Sequence, residues 1–363
     1  MAETDVQKSI FGVIARGLFL AVALALGCLF LHTIKEVILI FLLAMIISIA
    51  LTPLVNWLAL RKIHRGFATV FVLIGLAVLV FGMSAVVAPR LKIEINHLVK
   101  NVPRYSTNIK DRALALTADM PSVQAEINDP NLLNRFTPAL ETGLSKLGGV
   151  GVSFVSIVVG LLVLISMVAY MLAFPQPLIR GMLQMVPPQH REKFKEGYIK
   201  GADMIVRWVW ANAIIGMIDA VLACVALRLI HVQGAYVWGA FTLFAEMVPQ
   251  LGAYLMAIPP TIVALATDPM QALWVIGFYI CLQQLVNHIL APMIRARTMR
   301  IHPVSEIFAV LSLTLAFGIV GAVIADPVLG FIKAFYDAFY GKANDSPTLD
   351  GDVQDVLHRK LPA

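Results

Sequence analysis

Six stretches of predominantly apolar residues, roughly Ile10 to Leu31, Val37 to Leu60, Phe67 to Ala88, Val150 to Phe174, Trp208 to Ile230 and Met270 to Ala291, constrain this chain more than any other feature. A helix needs about 20 such residues to cross a bilayer, so each run is long enough to span. Two further runs, Val232 to Ala266 and Val304 to Tyr336, are too long for one simple span and carry polar or glycine-rich interruptions near their middles. Only 14% of the 363 residues are charged and 59% are hydrophobic. Soluble domains carry about a quarter charged residues, so a cytosolic enzyme is excluded, and the apolar excess equally excludes a disordered chain.

The remaining gross features agree with a membrane protein. Cys28, Cys224 and Cys281 lie in separate apolar runs, with no Cys/His spacing for a metal, and read as small buried hydrophobes. The net charge of +6 arises from short basic clusters between apolar segments, not from a basic stripe with aromatics, so no nucleic-acid partner is expected. Met1 to Gln7 is polar and no cleavage pattern follows the first run, which is expected to stay in the mature protein.

Between the spans, Pro89 to Leu147 is rich in both charge signs and punctuated by Pro103, Pro121, Pro130 and Pro138, the pattern of a small helical extramembrane module. Pro187 to Arg207 interleaves charges with Phe194, Ile199 and Ile205, as expected of a helix on the membrane surface. The residues after Gly341 read as a polar, mobile tail. The expected organisation is therefore spans over 1–88, the module over 89–147, a span and surface helix over 148–206, a transport region over 207–340 and the tail over 341–363.

Basic residues in short connections stay on the cytoplasmic side. Arg61, Lys62 and Arg65 form one cluster, Arg191 to Arg207 holds a second, and Arg295, Arg297 and Arg300 form a third. Placing all three inside puts the N-terminus inside, and it requires an even number of crossings between Arg207 and Arg295. The run 232–266 must then enter and leave on one side, as a re-entrant hairpin turning at Glu246-Met-Val-Pro-Gln-Leu-Gly252. The run 304–336 repeats the logic around Phe317-Gly-Ile-Val-Gly321 and enters from the opposite side. Non-helical backbone at membrane depth is tolerated only where protein buries it or a wet cavity solvates it, and opposed broken elements point to a secondary transporter. The expected fold is all-α and polytopic, with about eight membrane segments including two opposed hairpins.

Polar groups inside apolar runs each need a reason. Glu246 could hold a cation, exchange a proton or accept hydrogen bonds from a polar solute, or it could cap the hairpin's own backbone; Pro249, Gln250 and Gly252 surround it. Gln283 with Asn287, and Gln284 with His288, are four apart and share helix faces, which suits either a solute pathway or hydrogen bonding between helices. Asn212, Gly216 and Asp219 share one face of their helix, and the carboxylate could be either a coupling site or the partner of a structural group such as Arg228, which is nine residues on. Pro292 is expected to end its span, His302-Pro303 to start the second hairpin, Gly318 and Gly321 to form its tip, and Asp326 before Pro327 to mark an interface. There is no HExxH, phosphate-binding loop, GxGxxG or GxSxG pattern, so neither an enzyme nor a cofactor is expected.

At Glu246-x-x-Pro249-x-x-Gly252, at Asn287-x-x-x-x-Pro292 leading to His302-Pro303, and at Phe317-Gly318-x-x-Gly321 followed by Pro327, the sequence resembles the AI-2E transporter family of PerM-like permeases. The resemblance covers about Val206 to Phe339 in motif and the N-terminal half in hydropathy. It implies a multi-pass bacterial inner-membrane protein that assembles as a homo-oligomer, pentameric in characterised relatives. Relatives of this kind are assigned to export of autoinducer-2, and some to sodium or lithium/proton antiport. The expected function is secondary transport of a small polar solute, with elevator-like movement of the hairpin region. A cation/proton antiporter using Glu246 and Asp219, and a non-transporting membrane scaffold, are the alternatives.

Overall fold

The computed structural model describes residues 2–82 with positions 85, 89 and 93, then 154–245, 252–295 and 301–344. The module expected at 89–147, the first hairpin tip with Glu246, Pro249 and Gln250, and the terminal tail therefore lie, almost wholly, outside the described residues.

The chain opens with α1, Ala2–Leu60. The two runs expected as separate spans are one unbroken helix of about 88 Å, because His32 to Glu36 between them contains neither Pro nor Gly. A single helix carries the chain in one direction only, so the parity count that put the N-terminus inside loses a crossing. Lys62 turns the chain in the left-handed region at φ 65°, with the Arg61 guanidinium 4.3 Å over the Trp57 ring. Helix α2, Arg65–Gly82, then returns along α1.

Helix α3 (Phe154–Ala173) packs on α1, and α4 (Pro175–Met185) departs from it at 84°. Pro175 and Pro177 impose the corner, since the residue before a proline is held out of the α region, and Phe174 sits at φ −128°, ψ 63°. Arg65 braces the corner by donating Nε–H to the Leu172 carbonyl at 2.8 Å.

After a short 3-10 turn at Pro188–His190, α5 runs from Arg191 to Leu229. The amphipathic piece expected to lie on the surface is the first part of this continuous helix, which crosses the expected boundary at 206/207 without a break. Nothing between Arg191 and Leu229 interrupts a helix, and its apolar face is already covered: Phe194 and Tyr198 meet Phe335 and Phe331 edge-on. Helix α5 is the hub of the bundle, touching α1, α6 and α10. Its buried face includes Gly197, Gly201, Ala211, Gly216, Ala220 and Ala223. Lipid supplies no hydrophobic drive between helices, so small residues that permit close backbone approach decide where helices meet. A Cβ on Gly201 would come within 2.5 Å of the Phe331 ring, and one on Gly239 would collide with the Cys224 sulfur.

Helices α6 (Ala235–Ala245) and α7 (Gly252–Thr267) pack together and share a core with α8, Pro269–Leu285. At about 17 and 24 Å they are shorter than the ~30 Å hydrocarbon core. Asp268 caps α8 through Met270 N–H, with Pro269 at its first position. The helix then widens into a π-turn at Val286–Leu290 and continues as α9, Ala291–Arg295. Pro292, expected to end this span, therefore does not stop the helix. Its missing N–H leaves a carbonyl one turn back without its usual donor, and the wider π register absorbs the change.

The last helix, α10 (Pro303–Asn344), starts at an N-cap in which His302 Nδ1 accepts from Val304 N–H. Pro303 occupies the first helical position, where its missing N–H costs nothing. The helix is broken at Gly318, whose φ 67°, ψ −151° belongs to a region essentially restricted to glycine. The arms fold back on each other. A Cβ on Gly321 would collide with the Leu313 carbonyl, and Val310, Leu313, Ala322 and Ala325 form one cluster. The second arm, 319–344, is about 39 Å long. It is thus not a short arm like those of α6 and α7, and Ile324 joins Ile205, Met45, Ile46 and Ile49 in a core shared by α10, α5 and α1.

Candidate functional site

Among the described residues the polar side chains buried inside the apolar bundle are few, and four of them are candidates from the sequence: Asp219 (1% exposed), Asn212 (5%), Gln283 (6%) and Asp326 (7%). Asn212 and Asp219 project from the buried face of α5, with Gly216 between them, as their spacing predicts. Arg228 is exposed and nine residues on, about 13.5 Å along the axis, beyond direct pairing with Asp219.

Asp326 is anchored by a contact that spacing could not reveal. Its Oδ2 accepts from Trp208 Nε1–H at 3.1 Å, tying the second arm of α10 to α5 across 118 residues of sequence. Trp208 was not a candidate in the sequence; the only signal was a polar-tipped aromatic at the start of an apolar run, one turn before Asn212 on the same face. Pro327, also buried, follows and deprives the arm of one backbone donor just where the carboxylate sits.

At the end of α8 and in the π-turn, Gln283 Nε2–H donates to Asn287 Oδ1 at 3.3 Å, whereas His288 Nδ1 meets the backbone carbonyl of Gln284 at 3.1 Å, so of the two i, i+4 pairs only the first joins side chain to side chain. Gln283 is buried, whereas Gln284, Asn287 and His288 are exposed on the helix surface. The π-turn begins at Val286 and shifts this face relative to the rest of α8. Gln283 Oε1 is buried with no hydrogen-bond donor among the described residues. One turn earlier the buried Tyr279 hydroxyl faces Thr242 of α6. A buried acceptor without a donor is costly, and this one lies on the helix that follows the α6–α7 pair.

Gly252 is buried at the start of α7. Gly318 and Gly321 come together at the break in α10, for different reasons: Gly318 supplies the backbone conformation with open space around it, and Gly321 supplies the space. Among the described residues no group of three His, Cys, Asp or Glu side chains could hold a metal. Cys281, expected to be buried, is exposed on α8, and Cys224 is partly covered.

Five described helices are long and apolar enough to cross a membrane, or six if the bent pair α3–α4 counts as one span. A helical, multi-pass bundle with broken elements and carboxylates buried between apolar helices has the make-up of a membrane transport protein. The chain belongs to the AI-2E family of transporters, whose profile matches residues 18–341. It is 24% identical over 307 residues to the AI-2 transport protein TqsA of Escherichia coli K12, covering 82% of this chain and 85% of that one. It is 23% identical over 323 residues to YhhT of the same organism, a candidate transport protein by name, covering 85% and 87%. A similarly named protein of Mycobacterium tuberculosis is 25% identical over 297 residues, 80% of each chain.

Proposed function

We propose that the protein is a secondary transporter that moves a small polar solute, an autoinducer-2-like furanone or sugar-like compound, across the bacterial inner membrane. The observation that carries this reading is the break of α10 at Gly318, with its arms in contact at Leu313 and Gly321 inside an apolar stretch. Backbone freed from helical hydrogen bonds at membrane depth must be solvated by protein, solute or water, and a transport pathway supplies that solvation. In this reading the α6–α7 hairpin and the first arm of α10 are re-entrant and move together with the longer second arm, elevator-like, past a scaffold of N-terminal spans in a homo-oligomer. The basic clusters face the cytoplasm, and Glu246, Asn212, Asp219, Gln283 and Asn287 line or border the path.

Flux of a labelled furanone into proteoliposomes tests the proposal. Gly318→Leu and Glu246→Ala are expected to lower initial flux by at least about tenfold, the effect of losing ~1.4 kcal/mol of productive binding or geometry. Flux unchanged in both variants sinks the hairpin mechanism, and no flux of any polar solute favours a non-transporting scaffold. The buried Asp219 and Asp326 favour a second reading, sodium or lithium/proton antiport. Cation-driven proton movement in the same vesicles, lost in Asp219→Asn, separates the two. Cysteine accessibility then fixes orientation: with the Arg61 cluster inside, two N-terminal spans place the N-terminus inside and a single α1 crossing places it outside.

A further inference from the structure

The bundle contains a half-enclosed cleft of about 410 Å³ between α1, the α3–α4 corner and the first half of α5, and its Met45, Ile49 and Val206 also belong to the core that α10 joins through Ile324. This is within the ~300–1,000 Å³ range of ligand clefts. Its wall on α1 is graded. Asn56 at the rim is exposed, Thr52 one turn deeper is half-buried, and Ser48, Ile49 and Met45 at the floor are buried. These positions follow a 3–4-residue spacing and fall on one helix face over about 16 Å. Helix α5 lines the cleft with Tyr198, Ala202 and Val206, partly buried and four apart on one face, and with the exposed Asp203 beside them. The roof is α4, which leaves α3 at 84° and turns Leu178, Ile179 and Met182 into the cleft. A helix lying at right angles to a span, polar on one side and apolar on the other, sits at headgroup depth.

Two charged side chains of opposite sign line the rim, Arg65 and Asp203. Arg65 is held in place by Nε–H to the Leu172 carbonyl and one Nη–H to Asn56 Oδ1 at 3.2 Å, which leaves further donors of its five-donor fork for an oxyanion. Asp203 gives one oxygen to Arg207 Nε at 2.8 Å, in a pair about half exposed on both sides, and such pairs add little and exchange readily. The geometry points to a bound phospholipid of the ethanolamine type, its phosphate on Arg65, its ammonium on Asp203 and one acyl chain running down over Ile49, Met45 and Val206. A purely anionic headgroup would leave Asp203 facing phosphate, and a quaternary amine would offer it no N–H.

The test uses the full-length protein in nanodiscs of equal phosphatidylethanolamine, phosphatidylcholine and phosphatidylglycerol, with retained lipid read by native mass spectrometry after release into detergent. The wild type is expected to retain one ethanolamine lipid per chain, and Asp203→Asn to lose about tenfold of the preference over choline lipid, the effect of one charge-assisted hydrogen bond. Asp203 is exposed, so this variant leaves the bundle intact. Ala202→Leu, which narrows the cleft from the α5 side, is expected to abolish retention of all three lipids at that site. Equal retention of ethanolamine and choline lipids, preference for the glycerol lipid, or unchanged retention in Ala202→Leu would each overturn the assignment. Displacement by millimolar free phosphoethanolamine would also overturn it, since the headgroup alone would then be the ligand.

Discussion

Gly318 and Gly321 show how two identical residues three positions apart serve one turn by different physics. At Gly318 a side chain has room but the backbone conformation excludes it, whereas at Gly321 the conformation is ordinary and the Leu313 carbonyl occupies the space. Gly318→Ala is expected to lower stability by about 1–3 kcal/mol through backbone strain. Gly321→Ala should lower it by a similar ~1–3 kcal/mol through overpacking against a carbonyl that cannot rotate away. Gly75→Ala, with nothing near its Cβ, should be neutral or slightly stabilising within about 1 kcal/mol, and thermal unfolding in one detergent compares the three. Trp208→Phe removes the donor to Asp326 together with part of the buried indole, so the same assay should show a loss of about 2–4 kcal/mol from the missing hydrogen bond and the space left behind. Asp326→Asn should lose less, because an amide oxygen still accepts from the indole. The two glycines were legible from the sequence as a tip. The indole was not, because its partner lies 118 residues away.

Element boundaries followed local chemistry where a breaker was present and failed where it was absent. Pro269 and Pro303 start helices, as proline at the first helical position should. Where no breaker stands, helices run on: α1 joins two apolar runs, and α5 joins an amphipathic piece to a span. Pro292 failed in the other direction, since a π-turn lets the helix pass it. Contact between elements is set by small residues. Gly201→Leu would drive α5 away from Phe331, and the disturbed α5–α10 contact should appear as at least about tenfold faster amide exchange over 324–335, equivalent to ~1.4 kcal/mol of local stability. Unchanged exchange there would show that the two helices do not depend on that approach.

At the scale of the molecule the decisive question is whether α10 is one helix or two arms. With Cys28, Cys224 and Cys281 replaced, cysteines at positions 310 and 325 should form a disulfide in oxidised membranes, because Val310 and Ala325 share a cluster across the turn. In an unbroken helix they would be about 22 Å apart, far beyond the ~7 Å limit for a bridge. Absence of the cross-link would return this stretch to a single span. The sequence by itself determined that the chain is helical and belongs in a membrane, that the apolar stretch 304–336 breaks at its glycines, and which polar residues are out of place in lipid. Those properties depend on run length, on proline and glycine, and on the cost of polar groups in hydrocarbon, all of which are local. Only the tertiary structure decided that Asp326 meets Trp208, that α5 is the hub, and that Arg65 and Asp203 face one graded cleft. Such pairings arise where small residues let distant helices approach, and lipid-exposed and protein-buried apolar faces carry the same hydropathy.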